Sequence, residues 1–160
     1  MASYSVGDCG RAGLRLCNEM KIAMPSLSVN EGMARAAVAA FCVQADPSAI
    51  ELADIKCAVS EAVTNCIVHA YRETPGEIRI RVQLFEEAVI KIEIKDKGCG
   101  IEDILRAKEP LYTTDAEGER SGMGFTVMEN FCDGLRIVSR PGKGTSVTLT
   151  KRLRQRSRYT

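Results

Sequence analysis

The alternation of apolar and polar residues between positions 78 and 95 constrains the fold of this chain more than any other feature. Apolar residues occupy every second position in two neighbouring segments, with mostly charged residues between them. A period of two places successive side chains on opposite faces of a strand, so each segment predicts a strand with one covered and one solvated face. Glu86 and Glu87 separate the segments and predict the turn of an antiparallel hairpin. The apolar positions are Ile78, Ile80, Val82, Leu84, Ala88, Ile90, Ile92 and Ile94.

An apolar sheet face has to be covered, and the chain offers helices before and after the hairpin. Ser28 followed by Glu31 fits a capping box and predicts the start of a first helix. Asp46 and Pro47 predict the start of a second helix, with Asp46 as N-cap and Pro47 at the first helical position. The apolar spacing of this second helix continues to about Tyr71. Shorter helices are expected over 101–108 and 125–132.

Further alternating segments predict a strand over 18–26 and a final pair over 135–140 and 145–153, joined by a turn at 141–144. The order of elements lacks the strand–helix–strand repeat that a parallel sheet requires. The predicted fold is therefore α+β: a two-layer sandwich in which a mixed or antiparallel sheet is covered on one face by helices.

A chain of 160 residues is expected to form one domain. Residues 1–17 have no clear period, so we expect a flexible N-terminal extension without the apolar stretch of a signal peptide. The domain itself is expected over 18–153, and 154–160 is interpreted as a basic tail. No apolar run approaches the ~18 residues of a membrane span, so no membrane partner is expected.

The charge balance and the cysteines argue against two kinds of binding site. The chain has 22 basic and 21 acidic residues, and such a balance disfavours direct binding to nucleic acid. The seven cysteines include no C-x-x-C spacing and are accompanied by a single histidine, His69, which disfavours a zinc site. We therefore expect free thiols in a reducing cytoplasm.

Asp96 is the first candidate functional residue. It continues the parity of the apolar positions of its strand, so its carboxylate should point to the covered side, where it needs hydrogen-bond donors. The donors are either backbone N–H groups of the turn that contains Gly98 and Gly100, or a ligand such as the amino group of adenine. The two glycines would then allow a flat ring to approach closely. Thr145 has inward parity on the last strand and is either a partner near Asp96 or an ordinary β-branched strand residue.

Two other patterns suggest phosphate chemistry. Gly122 and Gly124 precede a predicted helix, where free N–H groups attract anions, although many helices begin this way. Glu61, Asn65 and His69 recur every four residues on the second helix and share one face, which is either solvated or functional. Asn65 offers an oxygen suited to Mg²⁺, and Glu61 can act as a general base. His69 is interpreted as a packed residue.

Together these motifs resemble a known family. E-x-x-x-N on a helix, D-x-G-x-G after a strand, G-x-G before a helix and G-T on a final strand are similar to the ATP-binding fold of the GHKL superfamily. Three longer strings resemble one branch of it, the serine-kinase anti-sigma factors of spore-forming bacteria, and in particular the anti-sigma-F factors. The strings are 60–65 (S-E-A-V-T-N), 110–114 (P-L-Y-T-T) and 119–131 (E-R-S-G-M-G-F-T-V-M-E-N-F).

The resemblance implies a role for each matching residue. Glu61 would be the base, Asn65 would hold Mg²⁺ against the phosphates of ATP or ADP, and Asp96 would accept a hydrogen bond from the adenine amino group. Gly98 and Gly100 would shape the base pocket with Thr145 assisting, and residues 109–124 would form a lid over the triphosphate. The lid and its flank contribute the remaining nucleotide contacts: Thr114, Arg120, Ser121, Gly122, Met123, Gly124 and Phe125.

The resemblance also implies partners. Members of this branch transfer phosphate to a serine of a small anti-anti-sigma protein, and they bind and inhibit a sporulation sigma factor, usually as homodimers. Two alternatives remain beside the kinase: a nucleotide-gated module that only sequesters the sigma factor, and a detached ATP domain of a histidine kinase. The first predicted helix, with Arg35 among small residues, is the candidate partner or dimer surface.

Overall fold

The alternating segments form one six-stranded sheet in the computed structural model, which describes residues 1–7, 13–71, 74–107 and 123–154. The strands lie in the order β1-β5-β6-β4-β3-β2, and every neighbouring pair is antiparallel. The sheet is thus antiparallel rather than mixed. The strands are β1 Ala2–Gly7, β2 Leu16–Pro25, β3 Glu77–Phe85, β4 Val89–Lys95, β5 Gly134–Arg140 and β6 Gly144–Arg152.

Helices cover one face of this sheet, which confirms the two-layer α+β prediction. Val38 and Val59 from the helices and Ile80 from the sheet are at most 1% exposed within one apolar cluster. On the opposite face, Arg81 and Arg136 are exposed. The helices are α1 Val29–Cys42, α2 Ala49–Asn65, α3 Ile104–Ala107 and α4 Gly124–Phe131, and α2 continues into a π-helical segment, Cys66–Ala70.

The N-terminal residues differ from the expected flexible extension. Ala2–Gly7 is the edge strand β1 and pairs with β5, while β2 already begins at Leu16. The Tyr4 hydroxyl donates a 2.7 Å hydrogen bond to Glu129 Oε1 on α4. A strand held mainly by backbone pairing with a distant segment needs little apolar periodicity of its own, so the sequence pattern did not reveal it.

The capping predictions also need correction. Ser28 precedes α1 without a side-chain cap bond, because its backbone is already helical and the Glu31 N–H donates to the Ser28 carbonyl at 3.2 Å. The Glu31 carboxylate accepts from the Ser60 hydroxyl on α2. The capping box forms at the start of α2, where Ser48 Oγ accepts from Glu51 N at 3.1 Å and Glu51 Oε2 accepts from Ser48 N at 2.8 Å. Asp46 is therefore not the N-cap, and it adopts a left-handed backbone with φ of 52°.

The predicted C-terminal tail is described only at its first residue. Arg154, the first residue of the predicted tail, donates its backbone N–H to Glu51 Oε1 at 2.8 Å, and residues 155–160 lie outside the described part. Within the described ranges, no helix combines the length and apolarity that crossing a membrane requires.

Candidate functional site

The site is built around one face of α2 and the first residue of α4. Glu61 and Asn65 lie one helical turn apart and are half-buried, and their side chains make no hydrogen bond within the described part of the chain. A Cβ placed on Gly124 would lie 3.0 Å from Glu61 Oε2 and 3.5 Å from Asn65 Oδ1. Glycine at this position therefore lets the backbone of α4 approach the carboxylate and the carboxamide closely.

The N-terminus of α4 supplies backbone donors to the same place. Met123 occupies the N-cap position without a side-chain cap bond and is 43% exposed, while Phe125 is half-buried against the core. The first N–H groups of a helix have no intrahelical partner and favour anions. The other predicted lid contacts lie outside the described residues: Thr114, Arg120, Ser121 and Gly122.

Asp96, directly after β4, is only 3% exposed. Its Oδ1 accepts from the backbone N–H of Gly98 at 2.8 Å and from that of Thr145 at 3.2 Å. Its Oδ2 lies 3.7 Å from the Cys66 thiol, which donates to it. Burial raises the pKa of the Asp96 carboxyl, and the backbone donors oppose that rise only partly. One oxygen is thus satisfied by the turn, and the other has only a weak thiol donor among the described residues.

Thr145 is buried, as its parity predicts, but its hydroxyl does not contact Asp96. The hydroxyl lies 2.8 Å from Ser139 Oγ, and the backbone N–H of Thr145 makes the bond to Asp96. Thr145 therefore fixes the carboxylate through its backbone. The Thr145 hydroxyl is paired with Ser139 of β5 and not with Asp96.

The two glycines of the Asp96 turn allow a close approach of neighbouring backbone. A Cβ on Gly98 would lie 2.2 Å from the carbonyl oxygen of Ala70. A Cβ on Gly100 would lie 2.3 Å from that of Arg140, and Gly100 has φ of +73°. The turn is thereby pressed against the π-helical segment and the β5–β6 connection, and Cys99 N donates to Ala70 O at 3.0 Å.

Two residues near Asp96 were missed as contributors to this site. Cys66 lies under the carboxylate, and the Tyr71 hydroxyl accepts from Lys97 N at 2.8 Å and donates to Glu77 O at 2.7 Å. Both lie just beyond Asn65, at the end of the predicted second helix. The available signal was only their position shortly after Asn65, because Asp96 and Lys97, the partners in the turn, are 30 and 26 positions away in sequence. His69 is half-buried, and its carbonyl accepts from the Cys99 thiol at 3.1 Å.

These residues fit a nucleotide with Mg²⁺. The carboxamide oxygen of Asn65 is a hard ligand of the kind Mg²⁺ prefers. The carboxylate of Glu61 beside it can accept a proton, and both side chains lie next to the start of α4, where the first N–H groups have no intrahelical partner. Within the described ranges, no three His, Cys, Asp or Glu side chains are grouped to hold a metal. A Mg²⁺ ion here would accordingly complete its coordination with phosphate oxygens and water, as is usual for this ion.

Comparison with known proteins gives one consistent family. The family model of the histidine kinase-like ATPase domain matches residues 24–151. An anti-sigma F factor of Caldanaerobacter subterraneus subsp. tengcongensis is 54% identical over 84% of this chain and 93% of its own length. The anti-sigma F factor of Oceanobacillus iheyensis is 52% identical over 85% of this chain and 93% of its own.

Solved structures support the fold. The structure of the RsbU and RsbW domains of Rv1364c from Mycobacterium tuberculosis matches with a TM-score of 0.65 at 20% identity, over 90% of this chain and 35% of that one. A histidine kinase domain from Erythrobacter litoralis matches with a TM-score of 0.51 at 17% identity, over 77% and 61% of the two chains. At these identities the likeness concerns the fold alone.

Proposed function

Because the chain belongs to the histidine kinase-like ATPase domain family, in its anti-sigma F factor branch, we propose that it is an ATP-dependent protein serine kinase that also binds and inhibits a sporulation sigma factor. The phosphate acceptor would be a serine of an anti-anti-sigma protein. The kinase would work in the cytoplasm as a homodimer. The observation that carries this proposal is the pair formed by Glu61 and Asn65, half-buried and facing the glycine start of α4.

We assign separate tasks to these residues. Asn65 would hold Mg²⁺ through its carboxamide oxygen, and the backbone N–H groups of Met123 and Gly124 would bind phosphate oxygens. Bound ATP would supply the phosphoryl group, and its Mg²⁺ would neutralise part of the phosphate charge. Glu61 would orient the acceptor serine and take its hydroxyl proton. Phosphoryl transfer depends mostly on such positioning and charge stabilisation.

The base end of the nucleotide would be read by Asp96. Its Oδ2 has no N–H or O–H donor among the described residues, so it can accept from the adenine amino group. Arg120, with Gly122 and the rest of the lid over 109–124, would contact the γ-phosphate. ATP and ADP would then leave the lid in different states, and partner affinity would change only to the extent that a partner distinguishes those states.

A phosphate-transfer assay tests this proposal directly. The protein is mixed with Mg²⁺, γ-labelled ATP and a cognate anti-anti-sigma protein, and we expect acid-stable label on that protein, identified as phosphoserine. Acid-labile label would instead indicate phosphohistidine and the histidine-kinase alternative. No label despite tight ATP binding would leave a nucleotide-gated module that only sequesters the sigma factor.

The exposed face of α1 supports a partner or dimer surface. Val29 is 82% exposed and Met33 47% exposed, although both are apolar. Arg35 beside them has its NH1 3.7 Å from Glu31 Oε1 and 3.3 Å from Ser60 Oγ. An apolar strip next to a half-exposed cation is typical of a binding surface rather than of a solvated helix face. The strip consists of Val29, Met33, Ala36, Ala40 and Val43.

Replacing Arg35 by Glu should weaken binding of the sigma factor or self-association about tenfold or more, because a charge on the surface is reversed beside Glu31. Analytical ultracentrifugation and titration with the sigma factor measure the two effects. Lys56→Glu is the matched control, since Lys56 is an exposed cation on α2 and makes no ion pair within the described residues. Unchanged binding and dimerisation in Arg35→Glu would remove α1 from the proposal.

A further inference from the structure

Cys66 occupies the point where α2 gives way to the π-helical segment. It is 4% exposed, and its thiol points at the carboxylate of Asp96 with Sγ 3.7 Å from Oδ2. π-helical turns inside α-helices often occur at functional sites, since they change the direction of the side chains that follow. Here Cys66, the residue immediately after Asn65, contacts the carboxylate of Asp96, which lies 30 positions later in the chain.

The two oxygens of Asp96 are held in different ways. Oδ1 accepts from two backbone N–H groups, those of Gly98 and Thr145, so its position is set by the turn and by β6. For Oδ2 the thiol of Cys66 is the one donor among the described residues. An S–H group is a weak donor, so it orients Oδ2 without saturating both of its lone pairs.

We propose that Cys66 is a positioning residue for recognition of the nucleotide base: its thiol fixes Oδ2 of Asp96 so that the remaining lone pair meets the exocyclic amino group of a purine. This inference rests on the proposed function, in which Asp96 accepts from that amino group. Cys66 acts through Asp96 rather than on the reacting phosphate. The effect of removing it should therefore appear in base binding and in its pH dependence.

The electrostatics of the pair agree with this geometry. Burial, followed by the charge of Asp96 and the bond to it, raises the pKa of the Cys66 thiol well above its ordinary value, so the thiol stays protonated and can donate. Tyr71 also senses the carboxylate: burial first, then the Asp96 charge, raises the pKa of its phenol. His69 lies on the same π-helical segment, and its carbonyl accepts from the Cys99 thiol in the Asp96 turn.

Removing the thiol should make the ionised carboxylate harder to maintain. The bond from Cys66 lowers the pKa of Asp96 against the larger rise due to burial, so its loss moves that pKa further up. An un-ionised Asp96 offers a poorer acceptor to the amino group. Nucleotide affinity should then fall at a higher pH than in the unaltered protein.

Calorimetric titration of Cys66→Ala with ADP, repeated from about pH 5 to about pH 8, tests the proposal. We expect affinity about threefold or more below that of the unaltered protein at the alkaline end, where the ionised carboxylate has lost the donor that orients Oδ2, and a larger loss at the acid end, where the pKa of Asp96 has moved up. Cys66→Val, which keeps most of the side-chain volume but has no donor, should behave in the same way. Superimposable pH profiles for all three proteins would overturn the proposal.

Cys42→Ala is the matched control. Cys42 is also buried, at 1% exposure, and burial raises its pKa to about 12, but it lies on α1 and its thiol is not bonded to Asp96. Its removal should lower stability without moving the acid limb of ADP affinity. If Cys42→Ala moved that limb as far as Cys66→Ala, the effect would be a general consequence of core packing, and the positioning role would be rejected.

A nucleotide-free measurement gives a second readout. The free energy of unfolding lost in Cys66→Ala should increase as pH rises through the titration of Asp96, because the lost bond is then a bond to a charged group. The loss in Cys42→Ala should not depend on pH. Asp96→Asn distinguishes failure of the proposed function from failure of this inference. Normal ADP binding by Asp96→Asn would reject base recognition by Asp96. Weak ADP binding by Asp96→Asn, together with an unchanged pH profile of ADP affinity in Cys66→Ala, would reject only the role of Cys66.

Discussion

Glu61→Gln should abolish phosphate transfer while leaving nucleotide binding nearly intact. The substitution keeps the shape and half-burial of the side chain but removes the oxygen that takes the serine proton. General-base catalysis typically contributes about 10²- to 10⁴-fold, and we expect a loss of that size in single-turnover transfer from labelled ATP. ATP and ADP affinities, measured by calorimetry, should remain within about threefold, since binding does not depend on the proton transfer.

The control for this experiment is Glu51→Gln near the start of the same helix. Glu51 forms the capping box with Ser48 and accepts a hydrogen bond from the backbone N–H of Arg154. Its replacement should therefore lower stability without affecting phosphate transfer by the folded protein. Together the two variants separate chemistry from folding. Undiminished transfer in Glu61→Gln would show that the base lies elsewhere, and simultaneous loss of nucleotide binding would show that Glu61 serves binding instead.

Asp96→Asn should weaken ATP and ADP alike, by about 100-fold, because the second side-chain position changes from an acceptor to a donor that opposes the adenine amino group. The fold should survive. The Asn carbonyl oxygen can still accept from Gly98 N and Thr145 N, and the new amide group faces the Cys66 sulfur. Equal loss of both nucleotides, seen by calorimetry, would place the contact at the base, while unchanged affinities would reject it.

The same substitution has a signed effect on stability. Burial raises the pKa of Asp96 in the folded chain above its unfolded value, so the folded state holds this proton more tightly than the unfolded state. The free energy of unfolding of the unaltered protein should therefore fall, relative to Asp96→Asn, as pH rises from the ordinary carboxyl range to the raised pKa, and level off above it. Urea denaturation across this range measures the difference. A difference that grows in the opposite direction would mean that the folded state favours the ionised carboxylate.

Several features were predictable because they depend on local periodicity. The alternation from Ile78 to Ile94 fixes which face of the β3–β4 hairpin is apolar, and the spacing of Glu61 and Asn65 places them on one side of α2 wherever that helix packs. The burial of Asp96 followed from its parity in β4. Each of these is a property of neighbouring residues in one element, so the sequence carries it directly.

Other features depended on which groups meet across the fold. Ser28–Glu31 and Ser48–Glu51 have the same S-x-x-E spacing, yet the box forms only at Ser48, which has an extended backbone, whereas Ser28 is helical. The Glu31 carboxylate is bonded to Ser60 on α2. Local pattern treats the two as equal, and only the packing of α1 on α2 distinguishes them. The strand β1 was missed for a related reason: its hydrogen bonds are made with β5, more than a hundred residues later.

Local sequence pattern is enough to predict the sandwich architecture, the family motifs and the stripe that carries Glu61 and Asn65. Tertiary structure alone decided how Asp96 is held: Gly98 and Gly100 are needed for contacts with the backbones of Ala70 and Arg140, and Cys66 is brought to Oδ2 from another element. The physical reason is that periodicity specifies which way a side chain faces along its own helix or strand. The partner it finds there depends on long-range packing, which no local pattern encodes.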